Sequence, residues 1–447
     1  MSEERLVLAR GSYAEYRRVR GILQQETTSG ALLLVAAVAA MVFANVAPAA
    51  YAGLRDLEVG PDILGLHLSV GHWAADGLLA IFFFLVGLEL KREFVAGDLS
   101  DPKKAVVPVA AACGGALGPA VIFVLVTWGD ANAMRGWAVP VATDIAFAVG
   151  VLAVIGGHLP AAMRTFLLTL AVADDLIGIA IIAIVYATDL HLEFLALAAI
   201  PTLGFMALTQ FARRWIRKHK IISTAVLSVV AFITWVFFFN SGIHATISGV
   251  VLAFMVPVGA SGHGSGLAQS MEHLVRPTST AIAAPVFAFF SAGVTLGGWQ
   301  GFVDAVTSPI GLGIIIGLPA GKTIGIFATT WVVTKIGHAR LDDEIAWIDV
   351  LGLSVLGGIG FTVALLVCEL SFGQGTHEDD VGKVGIIVAS VISAVVAAII
   401  LGARSRHYKA VEEQEGLDSD NSGTPDVFER NSANPADSVR HPRTCPG

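Results

Sequence analysis

Long apolar runs alternate with short polar joints along most of this chain. Runs near 30–50, 72–90, 105–127, 137–155, 161–187, 192–211, 221–238, 243–258, 278–299, 311–334, 347–371 and 383–402 each approach the length of a bilayer-crossing helix. They predict an all-α polytopic membrane protein with twelve transmembrane helices. A barrel would instead show short strands of alternating polarity. The joint 51–71 differs from the rest. Leu57-Glu58-Val59, then Gly60-Pro61-Asp62, then Leu66-His67-Leu68-Ser69-Val70 reads as a short β-hairpin, with an irregular loop as the alternative. Three regions follow: an N-terminal arm over 1–29, a transmembrane domain over 30–405 and a polar, disordered C-terminal tail over 406–447.

Composition agrees with the pattern. Of 447 residues, 55% are hydrophobic and 14% charged, against about 25% charged in soluble domains. Much of the net charge of −8 comes from the polar stretch after residue 411, and it points to no polyanionic partner such as nucleic acid. Cys113 and Cys368 lie in apolar runs and read as small core residues, so no disulfide frame or metal cluster is expected. The first 29 residues lack an apolar h-region, so no cleavable signal peptide is expected. Lys and Arg crowd one set of alternate joints, beginning with Arg5, Arg10, Arg17, Arg18 and Arg20. The other set carries only Arg55 and Arg135. By the positive-inside rule both termini are cytoplasmic.

Charges inside the runs carry the candidate chemistry. Asp174 and Asp175 sit side by side within ~3 Å of the centre of 165–187, at 1.5 Å rise per residue. One Asp at that depth costs roughly 2.5–3.5 kcal/mol, and two repel. Such a pair demands a wet cavity and a cation: a proton, a metal ion or a lysine. Asp144 and Lys322 fall at the centres of their own runs, so four charges share one depth. A structural Asp–Lys pair that fixes packing is the plain alternative. Two runs are interrupted at mid-span, one at Pro140 before Thr143-Asp144, the other at Gly357, Gly358 and Gly360. Glycine there also suits close helix packing. As discontinuous, crossing helices they suggest an inverted repeat, with runs 3–5 matching runs 10–12. Facing half-helix N-termini would concentrate positive charge that Asp144 could balance, and C-termini negative charge that Lys322 could balance. Asp76, Asp349 and Glu369 lie near run ends, within reach of the interface. Glu89, Lys91, Arg92, Glu93, Glu272 and His273 could line a charged, titrating entrance or form a solvated rim. His244 reads as a hydrogen-bonded structural histidine.

Other chemistries fit less well. The stretch 317–323, GLPAGKT, has one residue too few between its glycines for a phosphate-binding loop and lies in an apolar run. No zinc-protease pattern is present. Intramembrane aspartyl proteolysis by Asp144 and Asp174 is a weak alternative.

The stretches VPVATDIAFAVGVLAVIG, LLTLAVADDLIGI, FFFLVGLELKRE, SGIHATISGV and GGIGFT together resemble the NhaA-type sodium/proton antiporter family, from about residue 22 to 405. That family is a known case of broken-helix inverted repeats, so the repeat is not an independent reading. The resemblance implies a secondary transporter, not an enzyme, with no cofactor. It would exchange cytoplasmic Na⁺ or Li⁺ for external H⁺ across the cell membrane, electrogenically and in response to pH. Asp175 matches the primary ion-binding carboxylate, and Asp174 its neighbour, which pairs with the lysine matched by Lys322. Asp175 and Asp174 would be the metal ligands. Asp144 with Thr143 matches the broken fourth helix. Glu89, Arg92, Glu93 and Glu272 match the pH-responsive entrance, and the outer hairpin matches a homodimer contact. Two departures stand out: Arg276 is the only basic residue of 259–277, and Thr323 follows Lys322 where the family usually has Pro. A sodium-coupled symporter of the same architecture is the alternative; it would need a solute pocket and has no use for Lys322.

Overall fold

The computed structural model describes residues 13–187, 189–259, 266–337, 339, 341–342 and 344–415. Most of the Gly/Ser-rich stretch 259–266, the first twelve residues and the tail from 416 lie outside them.

The described chain is almost wholly helical. Helix α1 (Tyr13–Val46) begins inside the arm; its apolar part is Gly30–Val46. A connecting helix α2 (Pro48–Arg55) leads into the hairpin, in which β1 (Glu58–Val59) pairs antiparallel with β2 (Leu68–Ser69). The expected hairpin therefore forms. The Trp73 indole N–H donates to the Val59 carbonyl at 2.8 Å and pins it. Gly60, at φ +131°, makes its turn; a Cβ there would strike the Leu66 carbonyl.

Then follow α3 (Val70–Ala96), α4 (Pro102–Val126), the pair α5 (Ala131–Val141) and α6 (Ile145–Ile155), α7 (Ala161–Val185), α8 (Leu192–Phe211) and α9 (Lys220–Phe239). After them come α10 (Ile247–Met255), α11 (Leu267–Ala292), α12 (Gly298–Thr307), α13 (Pro309–Lys335), α14 (Trp347–Leu356), α15 (Thr362–Phe372) and α16 (His377–Glu415). Among the described residues eight helices are long and apolar enough to cross a membrane. The pair α5 and α6, bent by 49°, makes a ninth span. Outward-facing apolar residues such as Val42, Leu117, Leu125, Ile200, Ile221 and Ile399 remain exposed. Water does not tolerate so continuous an apolar surface; a lipid bilayer does. The chain is an integral, multi-pass membrane protein.

Several ends differ from the apolar runs. Helix α11 starts at Leu267, eleven residues before its run, because MEHLVRPT is amphipathic and packs one face on α3. Only 247–255 of the run 243–258 is helical. The Lys91 ammonium closes that short helix by donating to the carbonyls of Phe254 and Val256. Helix α16 continues to Glu415, past the compositional change near 406.

Helices α4 and α13 pack backbone to backbone. A Cβ on Gly118 would lie 2.3 Å from the Gly321 carbonyl oxygen, and one on Gly325 2.0 Å from that of Gly114. Small residues permit this approach. It buries Lys322, which lies on α13 directly after a π-helical turn over Gly317–Gly321.

Candidate ion-binding site at two helix breaks

Pro140 has no N–H to extend α5, and the chain runs extended through Ala142 and Asp144 before α6 begins. The glycines at 357–360 open the second break, between α14 and α15. The two breaks touch. The Asp144 N–H donates to the Ile359 carbonyl at 2.7 Å, and the Thr143 hydroxyl to the Gly357 carbonyl at 2.8 Å. Gly360 must be glycine-sized, since a Cβ there would meet the Ala142 carbonyl oxygen at 2.5 Å.

Asp144 caps both half-helices. Its Oδ1 accepts from the Phe147 N–H of α6 at 3.0 Å, and its Oδ2 from the Thr362 N–H of α15 at 2.9 Å. One carboxylate, 2% exposed, thus answers two helix N-termini, as the dipole argument predicts. Lys322 departs from that argument. Its ammonium bonds not to the C-terminal carbonyls but to Asp174, 2.6 Å from Oδ1 and 2.7 Å from Oδ2. A carboxylate within reach outcompetes partial helix-end charge. Lys322 is 0% and Asp174 4% exposed. The Thr143 N–H donates to Asp174 Oδ2 at 3.1 Å and ties the pair to the break.

Asp175 differs from its neighbour. It is only half-buried, and no hydrogen bond or ion pair reaches it among the described residues. It lies within electrostatic reach of Asp174, Asp144, Glu89 and Lys322. The five residues expected to act together are therefore assembled: Asp144, Thr143, Asp174 and Lys322 by direct bonds, Asp175 beside them as the carboxylate with an open coordination shell.

Glu89 connects this centre to one end of the molecule. Arg276 on α11 donates to Glu89 Oε1 of α3 at 2.5 Å and to Glu272 Oε1 at 2.8 Å, and Arg92 donates to Glu272 Oε2 at 2.6 Å. The lone basic residue of 259–277 thus sits at the middle of the network. Glu93 stands apart; its Oε2 accepts from the Asp98 N–H at 3.3 Å at the end of α3. His273 is exposed.

Reading the sequence underestimated the buried charges. Asp349 is fully buried, bonded to Arg404 at 2.6 Å and to the Tyr408 hydroxyl at 2.6 Å. Glu369 is 8% exposed and paired with Lys383 at 2.9 Å; Lys383 also pairs with Asp379 at 2.8 Å. Asp76 meets His244 Nε2 at 3.1 Å, and His244 Nδ1 lies 2.7 Å from the Thr246 hydroxyl, a hydrogen-bonded histidine as expected. Asp349 and Glu369 therefore do not reach out to the interface, because each has a cation folded over it; Asp76 is half-buried against the His244 ring. The i, i+4 spacing of Asp379 and Lys383 was the available signal.

Comparison with known proteins fits this geometry. The profile of the family described as "Na+/H+ antiporter 1" matches residues 20–401. The Na(+)/H(+) antiporter NhaA of Arthrobacter sp. (strain FB24) is 53% identical over 96% of this chain and 95% of its own length. NhaA 2 of Mycobacterium sp. (strain MCS) is 52% identical over 95% and 97%. NhaA 1 of Kineococcus radiotolerans is 50% identical over 96% and 99%. With two helix breaks meeting at buried carboxylates and relatives alike over nearly their whole length, the chain belongs to the Na⁺/H⁺ antiporter 1 family.

Proposed function

We propose that this protein is a secondary active transporter that exchanges cytoplasmic Na⁺, or Li⁺, for external H⁺. The observation that carries the reading is the contrast at the centre: Asp144 and Asp174 are fully bonded, whereas Asp175 beside them is half-buried with no partner among the described residues. A lone carboxylate at mid-membrane needs a positive charge. A proton supplies it at lower pH and Na⁺ at higher pH, and the two exclude each other. Na⁺ is a hard cation and takes several oxygens. Among the described residues no group of three or more His, Cys, Asp or Glu is arranged to hold a metal. Asp175 and Asp174 would therefore be joined by the Thr143 hydroxyl, carbonyls freed at the breaks and water. Lys322 compensates Asp174 while the ion is absent. If Na⁺ draws Asp174 away, Lys322 can release a proton, so more than one H⁺ moves per Na⁺ and exchange is electrogenic.

In this reading α1, α10 and the pair α14–α15 complete twelve spans, and the units α4–α7 and α13–α16 form the inverted repeat. Both termini are cytoplasmic and the protein sits in the cell's plasma membrane. The network of Glu89, Arg92, Glu272 and Arg276, with Glu93 at its edge, lines the cytoplasmic entrance. Protonating either carboxylate would loosen α3 from α11 and couple the entrance to pH. The hairpin offers an outer edge to a second copy.

The test is Na⁺- or Li⁺-driven proton movement in everted vesicles, with Asp175→Asn as the decisive variant. Loss of exchange with normal insertion supports the assignment; unimpaired exchange by that variant refutes it.

A further inference from the structure

A second buried charge cluster lies away from the crossing. Glu369 stands seven residues along α15 from Thr362, two helical turns or about 10 Å from the Asp144 cap. It points toward the hairpin end of the molecule. The loop between α15 and α16 touches that end: a Cβ on Gly71 would meet the Gln374 amide nitrogen at 3.2 Å. Lys383 of α16 bridges Glu369 Oε1 and Asp379 Oδ2, and the Ser291 hydroxyl of α11 donates to the same Glu369 oxygen at 2.5 Å. The Gly375 N–H donates to Asp379 Oδ2 at 3.0 Å.

Two carboxylates and one ammonium leave one negative charge in excess. Burial is nearly complete, with Asp379 at 0% and Lys383 at 3% exposure. Asp379 Oδ1 is fully buried and has no hydrogen-bond partner. Glu369 Oε2 also lacks one among the described residues. An unbonded anionic oxygen in the interior is costly; the same oxygen carrying a proton is far less so. Among the described residues the surroundings supply no other bonded compensation. Arg55 is held by Asp56 at 2.7 Å, and Asp380 and His377 lie on the first turn of α16. The Cys368 thiol bonds weakly to the Asp379 carbonyl, and Asp304 on α12 is exposed and bonded to Gln300. Tyr51 faces the cluster from α2, but burial pushes its phenol up to about 12 and its hydroxyl is spent on the carbonyls of Phe289 and Phe290.

We propose that Glu369, Asp379, Lys383 and Ser291 form a second proton-binding site, holding one exchangeable proton between the two carboxyls on the hairpin side of the Asp144 cap. Its direction, toward the outside, rests on the antiport reading; its occupancy does not. Glu369 would take the proton from the outer solution through its unpartnered oxygen, while Lys383 holds the two carboxyls together.

Infrared difference spectroscopy of the full chain in lipid nanodiscs, in H₂O against D₂O, tests this. It is done in the Asp175→Asn background, so that the central carboxyl contributes nothing. A protonated-carboxyl C=O band that shifts in D₂O at neutral pH is expected, and adding Glu369→Gln or Asp379→Asn should remove it. Absence of the band, or its full persistence with both substitutions, overturns the proposal. The first of these outcomes needs no cluster variant to fold. Should the unmodified protein fail to move protons on Na⁺ addition while the band and its loss are as expected, the antiport reading falls and the proton site stands.

Discussion

Replacing Lys322 by Met removes the only ammonium bonded to Asp174 among the described residues and leaves a carboxylate that is 4% exposed. Breaking a buried pair in this way costs about 3–5 kcal/mol. An upper bound follows from proton uptake. Rather than stay charged and unpaired, Asp174 can bind a proton. For an aspartate in water, with a pKa of about 3.9, taking up a proton costs about 4 kcal/mol at pH 7 and about 1.5 kcal/mol at pH 5. The Thr143 N–H still donates to Asp174 and trims the loss slightly. The expected destabilisation is therefore about 3–4 kcal/mol at pH 7, shrinking as pH falls, because the variant's folded state binds a proton that its unfolded state does not. The double variant Lys322→Met, Asp174→Leu removes both members of this pair. It should be less destabilised than the single variant at pH 7 and show no such pH slope; its residual loss is the unpaired Thr143 N–H, about 1–3 kcal/mol. Unfolding midpoints in detergent micelles, followed by tryptophan fluorescence at both pH values, give the comparison. A double variant as unstable as the single one, or a single variant indifferent to pH, would refute the reasoning that the pair is held by mutual neutralisation.

Two further outcomes follow from the geometry. Asp144→Ala uncaps α6 and α15 at once and should cost about 2–4 kcal/mol, at roughly 1–2 kcal/mol per N-cap; Asp144→Asn, which keeps one acceptor, should fall between it and the parent in unfolding midpoint. Gly325→Val places a branched side chain where even a Cβ would lie 2.0 Å from the Gly114 carbonyl oxygen. It should lower stability by about 1–3 kcal/mol or more, whereas Gly204→Ala, in the interior of α8 with nothing within 4 Å, should leave the midpoint unchanged or raise stability by up to about 1 kcal/mol.

The sequence made the spans legible because lipid imposes a length on apolar runs, and the hairpin because Gly60-Pro61-Asp62 interrupts alternating residues. The breaks were legible from Pro140 and the glycines of 357–360, and their joint capping by Asp144 from helix dipoles alone. Pairings were harder. Lys322 and Asp174 are 148 residues apart, and Arg276 and Glu89 are 187 apart; no local periodicity encodes such meetings. Shared depth brought the first pair together on paper. Depth misled for Glu369, Asp349 and Asp76, since proximity to a span end says nothing about what folds over the side chain. The run 243–258 is helical only over 247–255, for a related reason. Gly242, at φ +82°, and the turns around His244 delay the start of the helix, and the Lys91 ammonium closes its end at the Phe254 and Val256 carbonyls.

The π-helical turn at Gly317–Gly321 sets where Lys322 faces. Such a turn holds one residue more than an α-turn, so everything beyond it is rotated by about 100° from where an unbroken helix would carry it. Both parts of α13 pack on α4, but their second neighbours differ: α16 for Pro309–Ile316 and α14 for Lys322–Lys335. Just beyond the turn, the Lys322 ammonium meets Asp174. A stretch that looks like a nucleotide loop with a residue missing works here as a swivel in a transmembrane rod.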